Sequence, residues 1–368
     1  MIDIHQATRS YESWLRDRTD VVESDLHSKH ERMAESPFVF LRGTFYRWIQ
    51  QWPATCEKLA DAPHVLAVGD LHVENFGTWR DLEGRLIWGV NDVDEAYELP
   101  YTQDLVRLAT SAILAIQGKH FALSPREACE AILEGYRTSL GRGGRPVVLA
   151  ERHSWLRQIA LNDLRDPTVF WTKLQQCTAV RGSRKGDRAI PYRELRSMLP
   201  EGAPIDRVVK RIAGVGSLGR PRLVALATCG GSLIAREAKA LLPSAVVWAR
   251  DASSAAIHGA VLLQRAVRVP DPYFAFTKQW ILRRLAPDCT RIELGELPKK
   301  RDEAKLLRAM AWETANIHLG SRCQIVRRDI AGRGVQKLRR AASDMAQVVI
   351  DDWRQWVGRR TSSSKQPG

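Results

Sequence analysis

Val68-Gly69-Asp70-Leu71-His72-Val73-Glu74-Asn75-Phe76-Gly77, followed by Asn91-Asp92-Val93-Asp94-Glu95-Ala96, gathers carboxylates and amides into two short segments. The apolar run Val65 to Val68 leads into Gly69-Asp70, and the run Leu86 to Val90 leads into Asn91-Asp92, so each acid is expected where a short strand ends. Strand ends and their loops are where a rigid scaffold usually carries reactive groups. Asp70, with Asn75 five positions on and Asp92 after the next strand, suits phosphoryl transfer. The arrangement offers a base near an acceptor hydroxyl and hard oxygen ligands for Mg2+.

Working outward, residues 1 to 35 set Tyr11, Trp14, Leu15, Val21, Val22 and Leu26 among charges, the spacing of one or two amphipathic helices. Ser36 before Pro37 suits a helix start, and the aromatic segment to Trp48 is expected to form a buried support for the Asp70 loop. Arg42 within it is a candidate phosphate contact. Pro100 to Gln117 reads as a core helix, and Ser124-Pro125-Arg126-Glu127 has the form of a capping box before a helix over 127–140. The Gly/Arg loops 141–145 and 181–186 are expected to be solvated and mobile.

Near residue 204 the pattern turns to strand. Arg207 to Ala213 runs into Gly214-Val215-Gly216-Ser217-Leu218-Gly219, then Arg222 to Ala227, a Cys229-Gly230-Gly231-Ser232 turn, and Leu233 to Lys239. A dinucleotide-binding fold needs a helix directly after the glycines, whereas here Pro221 and a β-type run follow. Residues 244–264 read as one helix, 274–276 and 279–285 as further strands, and Pro287 begins a linker. A periodic helix over 302–319 stops at Gly320, with His318 as a helix-end residue rather than a ligand. The segment 337–357 reads as a last amphipathic helix, and 358–368 as disordered.

The 368 residues are enough for two closely joined lobes. A hydrophobic fraction of 44% and a charged fraction of 27% are those of a globular chain. No run approaches the roughly eighteen apolar residues of a membrane span, and Met1 to His5 lacks a secretory pattern. The expected location is the cytoplasm. Six dispersed cysteines (Cys56, Cys129, Cys177, Cys229, Cys289, Cys323) form no Cys-x-x-Cys pair, which argues against zinc or a disulfide framework. A formal charge of +14 favours an anionic partner, but the basic loops lack the interleaved aromatics of a nucleic-acid surface, so nucleic acid is not expected.

Gly69-Asp70-Leu71-His72 with Asn75, then Asp92-x-Asp94, resembles the catalytic and metal-binding loops of aminoglycoside and choline kinases, a branch of the protein-kinase-like fold. More closely, the chain resembles a bacterial family of unknown function, numbered 2252, of kinase-like proteins. The matching residues are 36–43, the two acidic loops, Asp104 to Ser111, Gly214 to Gly219, and Lys239 with Pro243-Ser244, spread over roughly residues 30 to 320.

The resemblance implies an α+β, two-lobed, protein-kinase-like fold. Its small β-rich lobe would span 204–290 and bind nucleotide; its larger helical lobe would combine 1–203, which carries both acidic loops, with 291–368. Because Asp70 and Asp92 precede Gly214 and Lys239, the motif order is circularly permuted relative to an ordinary kinase. It further implies that Gly214, Gly216, Ser217 and Gly219 cover ATP phosphates and that Lys239 reaches them. Asp70 would serve the acceptor, His72 would shape its loop, Asp104 would brace it, and Asn75, Asp92 and Asp94 would hold Mg2+. One departure stands out: no Glu lies between Ala238 and Arg291, so the usual helix partner of the strand lysine is missing, leaving Glu237, Asp251 or another acid.

The leading expectation is therefore an ATP- and Mg2+-dependent phosphotransferase acting on a hydroxyl of a small molecule or protein, with anionic acceptors among the candidates. AMP transfer would need the same acids. A nucleotide-binding pseudokinase is a rival of another class, favoured by the missing Glu and the positive charge. A metal-dependent hydrolase using Asp70, His72, Asp92 and Asp94 is a third.

Overall fold

The computed structural model describes residues 2–151, 153–161, 166–180, 190–253, 255–289, 291–292, 294, 302–321 and 323–363. Helices α1 (Ile4–Arg16), α2 (Glu23–Met33), α3 (Pro37–Gly43), α4 (Phe45–Thr55) and α5 (Glu57–Ala60) come first. Ser36 Oγ accepts Val39 N–H at 3.2 Å and Pro37 fills the first turn of α3, as the Ser-Pro pair predicts. Strands β1 (His64–Ala67), β2 (Phe76–Arg80), β3 (Leu86–Val90) and β4 (Tyr97–Pro100) follow, then α6 (Tyr101–Gln117) and α7 (Pro125–Arg142). Ser124 and Glu127 close the expected capping box on α7. After β5 (Val147–Val148) come three short helices, α8 (Ser154–Ala160), α9 (Pro167–Gln175) and α10 (Tyr192–Ser197).

The strand-rich stretch is β6 (Ile205–Lys210), β7 (Arg222–Cys229), β8 (Ser232–Ala240), β9 (Ala275–Phe276) and β10 (Trp280–Leu285). Between β8 and β9 lie α11 (Ala245–Ala249) and α12 (Gly259–Arg265), and the chain closes with α13 (Glu303–His318), α14 (Cys323–Ala331) and α15 (Val335–Ser363). Among the described residues three sheets result, with orders β1-β4, β2-β3-β5 and β6-β7-β8-β10-β9, and every paired strand is antiparallel. With 51% helix and 17% strand in such small sheets the class is α+β.

The five-stranded sheet alternates its apolar residues between two faces, as a pleat requires. Val224 and Leu226 of β7 meet Leu174 of α9 and Leu285 on one face, while Leu223 and Ala225 meet Leu195 of α10 and Leu282 on the other. The largest core draws on both ends of the chain: Ile4 and Leu15 of α1, Phe40 of α3, Leu105 and Leu108 of α6, Ile132 of α7, Leu307 and Met310 of α13, and Met345 of α15 are all buried in it.

Several expectations need correction. Residues 244–264 are two short helices, not one, because Asp251 takes a φ of 47° just after α11 and the chain turns there. In the first Gly/Arg loop residues 141–143 and 145 are exposed, as expected, but its end is tethered: Arg145 N–H donates to Asn316 Oδ1 at 3.1 Å, and its carbonyl accepts from Asn316 Nδ2 and Trp312 Nε1. The second, 181–186, lies outside the described residues. Helix α15 continues to Ser363, past the expected boundary at Gly358, and 364–368 lie outside the described residues. Among the described residues no helix is long and apolar enough to cross a membrane. All six cysteines are free thiols, with Cys56, Cys129 and Cys289 buried.

Candidate functional site

A cavity of about 400 Å³ opens between α2 and α3, the two acidic loops and the five-stranded sheet. Asp70, His72, Asn75, Asp92, Asp94, Gly214, Gly216 and Ser217 all line it. Gly219 and Lys239 are not on its wall, but Lys239 is bonded to Asp92 and Asp94, which are.

The Asp70 loop is held from below. Gly69 has a φ of 81° and a side chain there would run into the Glu95 carbonyl, so only glycine fits. Asp104 accepts Val68 N–H at 2.7 Å and Gly69 N–H at 3.0 Å, and Gln103 Nε2 donates to the Gly69 carbonyl at 2.8 Å. Behind Asp104 stands His318, whose Nε2 lies 3.0 Å from Asp104 Oδ2 while Tyr136 OH lies 2.7 Å from its Nδ1. His318 is thus fully buried and part of the brace, more than a helix-end residue.

Asp70 itself is gripped on one side only. Arg107 Nε donates to its Oδ1 at 2.9 Å and Arg107 Nη2 bonds the same oxygen, leaving Oδ2 toward the Gly-rich loop. Arg107 is fully buried, its guanidinium about the same distance from the rings of Phe45 and Trp48, 5.0 and 4.9 Å. Burial raises the Asp70 pKa from its ordinary value, and Arg107 offsets only part of that. His72 accepts Glu74 N–H at Nδ1, 3.2 Å, which assigns its proton to Nε2. Burial, with Arg42, Arg107 and Arg291 nearby, holds its pKa well below the ordinary value, so it shapes the turn as a neutral ring. Arg42, the candidate phosphate contact, lines the cavity but is ion-paired with Glu74.

Asn75 stitches the two acidic loops together. Its Nδ2 donates to the carbonyls of Asp70 at 3.0 Å and Asp92 at 2.9 Å, and its Oδ1 accepts Asp92 N–H at 2.8 Å. Lys239 of β8 answers the question of its missing partner: Nζ lies 2.8 and 3.0 Å from the two oxygens of Asp92 and 3.0 Å from Asp94 Oδ2. The candidates Glu237 and Asp251 do not serve. Glu237 pairs instead with Arg211 and Arg222. Its burial opposes ionisation, but those two with Arg283 bring its pKa down to about 2.

The Gly-rich turn lies over Asp70. Gly214 and Gly219 have φ of 74° and 94°, and residues 215–217 make a single 3-10 turn. A Cβ on Gly216 would stand 2.9 Å from the Arg42 carbonyl oxygen and 3.5 Å from Asp70 Oδ2. Ser217 Oγ accepts from Arg222 Nη2 at 2.7 Å. The turn is fastened to α2 and the segment before it: Lys29 Nζ donates to the Gly216 carbonyl at 3.3 Å and Val22 N–H to the Gly219 carbonyl at 2.9 Å. Burial pushes the Lys29 pKa down to about 8.

Among the described residues no group of three or more His, Cys, Asp or Glu side chains is arranged to hold a metal ion. The carboxylate of Asp92 and the remaining lone pair of Asn75 Oδ1, with Asp94 nearby, do suit a hard cation that takes its other ligands from a phosphate substrate and water. Residues of the site not assigned from sequence include Arg107, Arg220, Arg222 and Lys29. Arg107 alone carried a signal, a charge on the apolar face of a core helix that needs a buried counter-ion.

One family model, described as an uncharacterized protein conserved in bacteria (DUF2252), matches residues 18–169 and 193–359. No curated protein and no solved structure matches the chain.

Proposed function

We propose that this chain, which belongs to the uncharacterized bacterial family DUF2252, is an ATP- and Mg2+-dependent phosphotransferase of protein-kinase-like fold with a permuted order of motifs. The observation that carries the reading is the convergence of parts far apart in sequence. Lys239 on the third strand of the five-stranded sheet stands 2.8 Å from Asp92, and Gly216 lies against Asp70. A lysine, a glycine turn, an aspartate with a free oxygen and an aspartate–asparagine pair are the parts phosphoryl transfer requires.

In this reading the acceptor hydroxyl meets Asp70 Oδ2, the oxygen Arg107 leaves unbonded, and gives it the proton as the hydroxyl oxygen bonds the γ-phosphorus and the bond from that phosphorus to the β–γ bridging oxygen breaks, releasing ADP. The raised pKa of Asp70 makes it a better proton acceptor than an exposed carboxylate. The open backbone at Gly214 to Ser217 covers the phosphates, and Lys239, Arg222 and Arg291 balance their charge. Asp92 and Asn75, with Asp94 beside them, would hold Mg2+, and the ion would neutralise charge on the transferring group. The apolar end of the cavity, Phe170, Ile212, Leu285 and Pro287, suits a nucleobase.

A second reading, a nucleotide binder without turnover, draws on the Lys239 ammonium bonded to both aspartates where a cation would act. Incubation with γ-labelled and α-labelled ATP and Mg2+ separates the outcomes. Retained γ-label that is lost in Asp70→Asn supports phosphotransfer, and retained α-label means AMP transfer. Binding with neither label retained means the second reading, and equal binding and turnover by wild type and Asp92→Ala would sink the assignment.

A further inference from the structure

We propose that Asp94 is the standing acidic partner of Lys239 rather than a metal ligand, which leaves Asp92, supported by Asn75, as the only carboxylate for a single Mg2+. The proposal rests on the nucleotide reading above and narrows it.

Although both aspartates touch Lys239, their surroundings differ. Among the described residues Asp92 has no other cation bonded to it, and 39% of its side chain is exposed toward the cavity. Asp94 is 11% exposed and its Oδ2 is bonded to two cations, Lys239 at 3.0 Å and Arg220 Nη1 at 2.9 Å. Arg220 cannot retreat. Its side chain is 3% exposed, its Nη2 donates to Glu95 Oε1 at 2.9 Å and Tyr11 OH at 3.3 Å, and Glu95 is in turn bound by Ala245 N–H at 2.7 Å. A divalent ion on that oxygen would face an immobile guanidinium at short range, a repulsion little screened in a buried site. Lys239, on a flexible four-carbon stem, can leave Asp92 for a phosphate and keep its bond to Asp94.

The sequence supplies the reason an acid from the loop takes this role. Residues 240 to 290 contain no Glu, and α11, the helix after the lysine strand, opens by donating Ala245 N–H to Glu95. Glu237, the acid nearest in sequence, is committed to Arg211 and Arg222. Arg220 thus fixes Asp94, and Asp94 fixes Lys239. Asp94 is accordingly a positioning residue.

The experiment measures ADP affinity with and without Mg2+ by calorimetry for the full chain and for Asp92→Asn, Asp94→Asn, Lys239→Met and Asp94→Asn/Lys239→Met. Mg2+ is expected to tighten ADP binding in the wild type and in Asp94→Asn by the same factor to within about twofold, and to have no effect in Asp92→Asn. Asp94→Asn and Lys239→Met should each weaken binding about tenfold, and the double variant no further, since they remove one ion pair. Loss of the Mg2+ effect in Asp94→Asn, or additive losses in the double variant, overturns the proposal while leaving the nucleotide reading intact. Absence of ADP binding by the wild type overturns both. Should Asp94→Asn not fold, Mn2+ bound to the wild-type ADP complex is counted by electron paramagnetic resonance: one ion per chain is expected, and two overturn the proposal.

Discussion

Asp70 owes its character to one neighbour. Arg107→Met would strip the guanidinium from a buried carboxylate whose pKa is already raised. The base would then titrate higher, so the acid limb of the pH–rate profile should move upward and kcat at neutral pH should fall by about 10²-fold as the carboxylate loses its anchor. Arg107→Lys keeps the charge but not the two-nitrogen grip on Oδ1, and should recover the pH limb more than the rate. A pH profile of labelled phosphate transfer checks both. Glu237 makes the opposite case. Its folded pKa of about 2 lies below the unfolded value of 4.5, so its ion pairs stabilise the protein above that unfolded value and the benefit is lost as pH falls through the folded one. Glu237→Gln should cost about 3 kcal/mol at pH 7, because two arginines lose a buried partner, and the gap in urea midpoint between wild type and variant should narrow toward pH 3.

At the scale of an element, the Gly-rich turn is defined by what it cannot carry. Gly216→Ala would press a methyl group to 2.9 Å from the Arg42 carbonyl, which is backbone and yields little. The turn should lift away from Asp70, lowering turnover about tenfold or more with a small change in melting temperature. Parallel activity and thermal-melt measurements would detect the split, and an equal, large loss of both would contradict it. Elements with local signals were readable from sequence: Ser36-Pro37 and Ser124-Pro125 mark helix starts by capping, and Leu86 to Val90 is the apolar run that becomes β3. Elements set by distant partners were not. Tyr97–Pro100 carries Glu98 and a proline, and becomes β4 only by pairing with β1, Val65 opposite Leu99. The break in 244–264 lies in Arg250-Asp251, where a left-handed residue follows α11 without a glycine to announce it. In the site, the acids and glycines were legible as types, but the partners of Lys239 lie 147 and 145 residues away and could be met only in space.

At the scale of the molecule, the helical core is closed by the last three helices. α13 packs along α7 and delivers His318 to Asp104, while α15 crosses α6. A chain ending at residue 301 would leave Leu307, Met310, Met345 and their neighbours missing from the largest core, and Asp104 without its histidine. We expect that truncation to lose the cooperative melt altogether rather than yield a smaller folded unit, as circular dichroism and limited proteolysis would reveal. The buried pair of Arg47 with Asp352 spans 305 residues, and Trp356 Nε1 reaches back to the His30 carbonyl at 3.2 Å. At a synthesis rate of about 5–20 residues per second, Arg47 waits about 15 to 60 s for its carboxylate to be made. Through that interval α4 must expose a cation and aromatic rings to whatever the ribosome's surroundings contain. Packing of these N-terminal helices is therefore expected to be completed only after the final helix emerges.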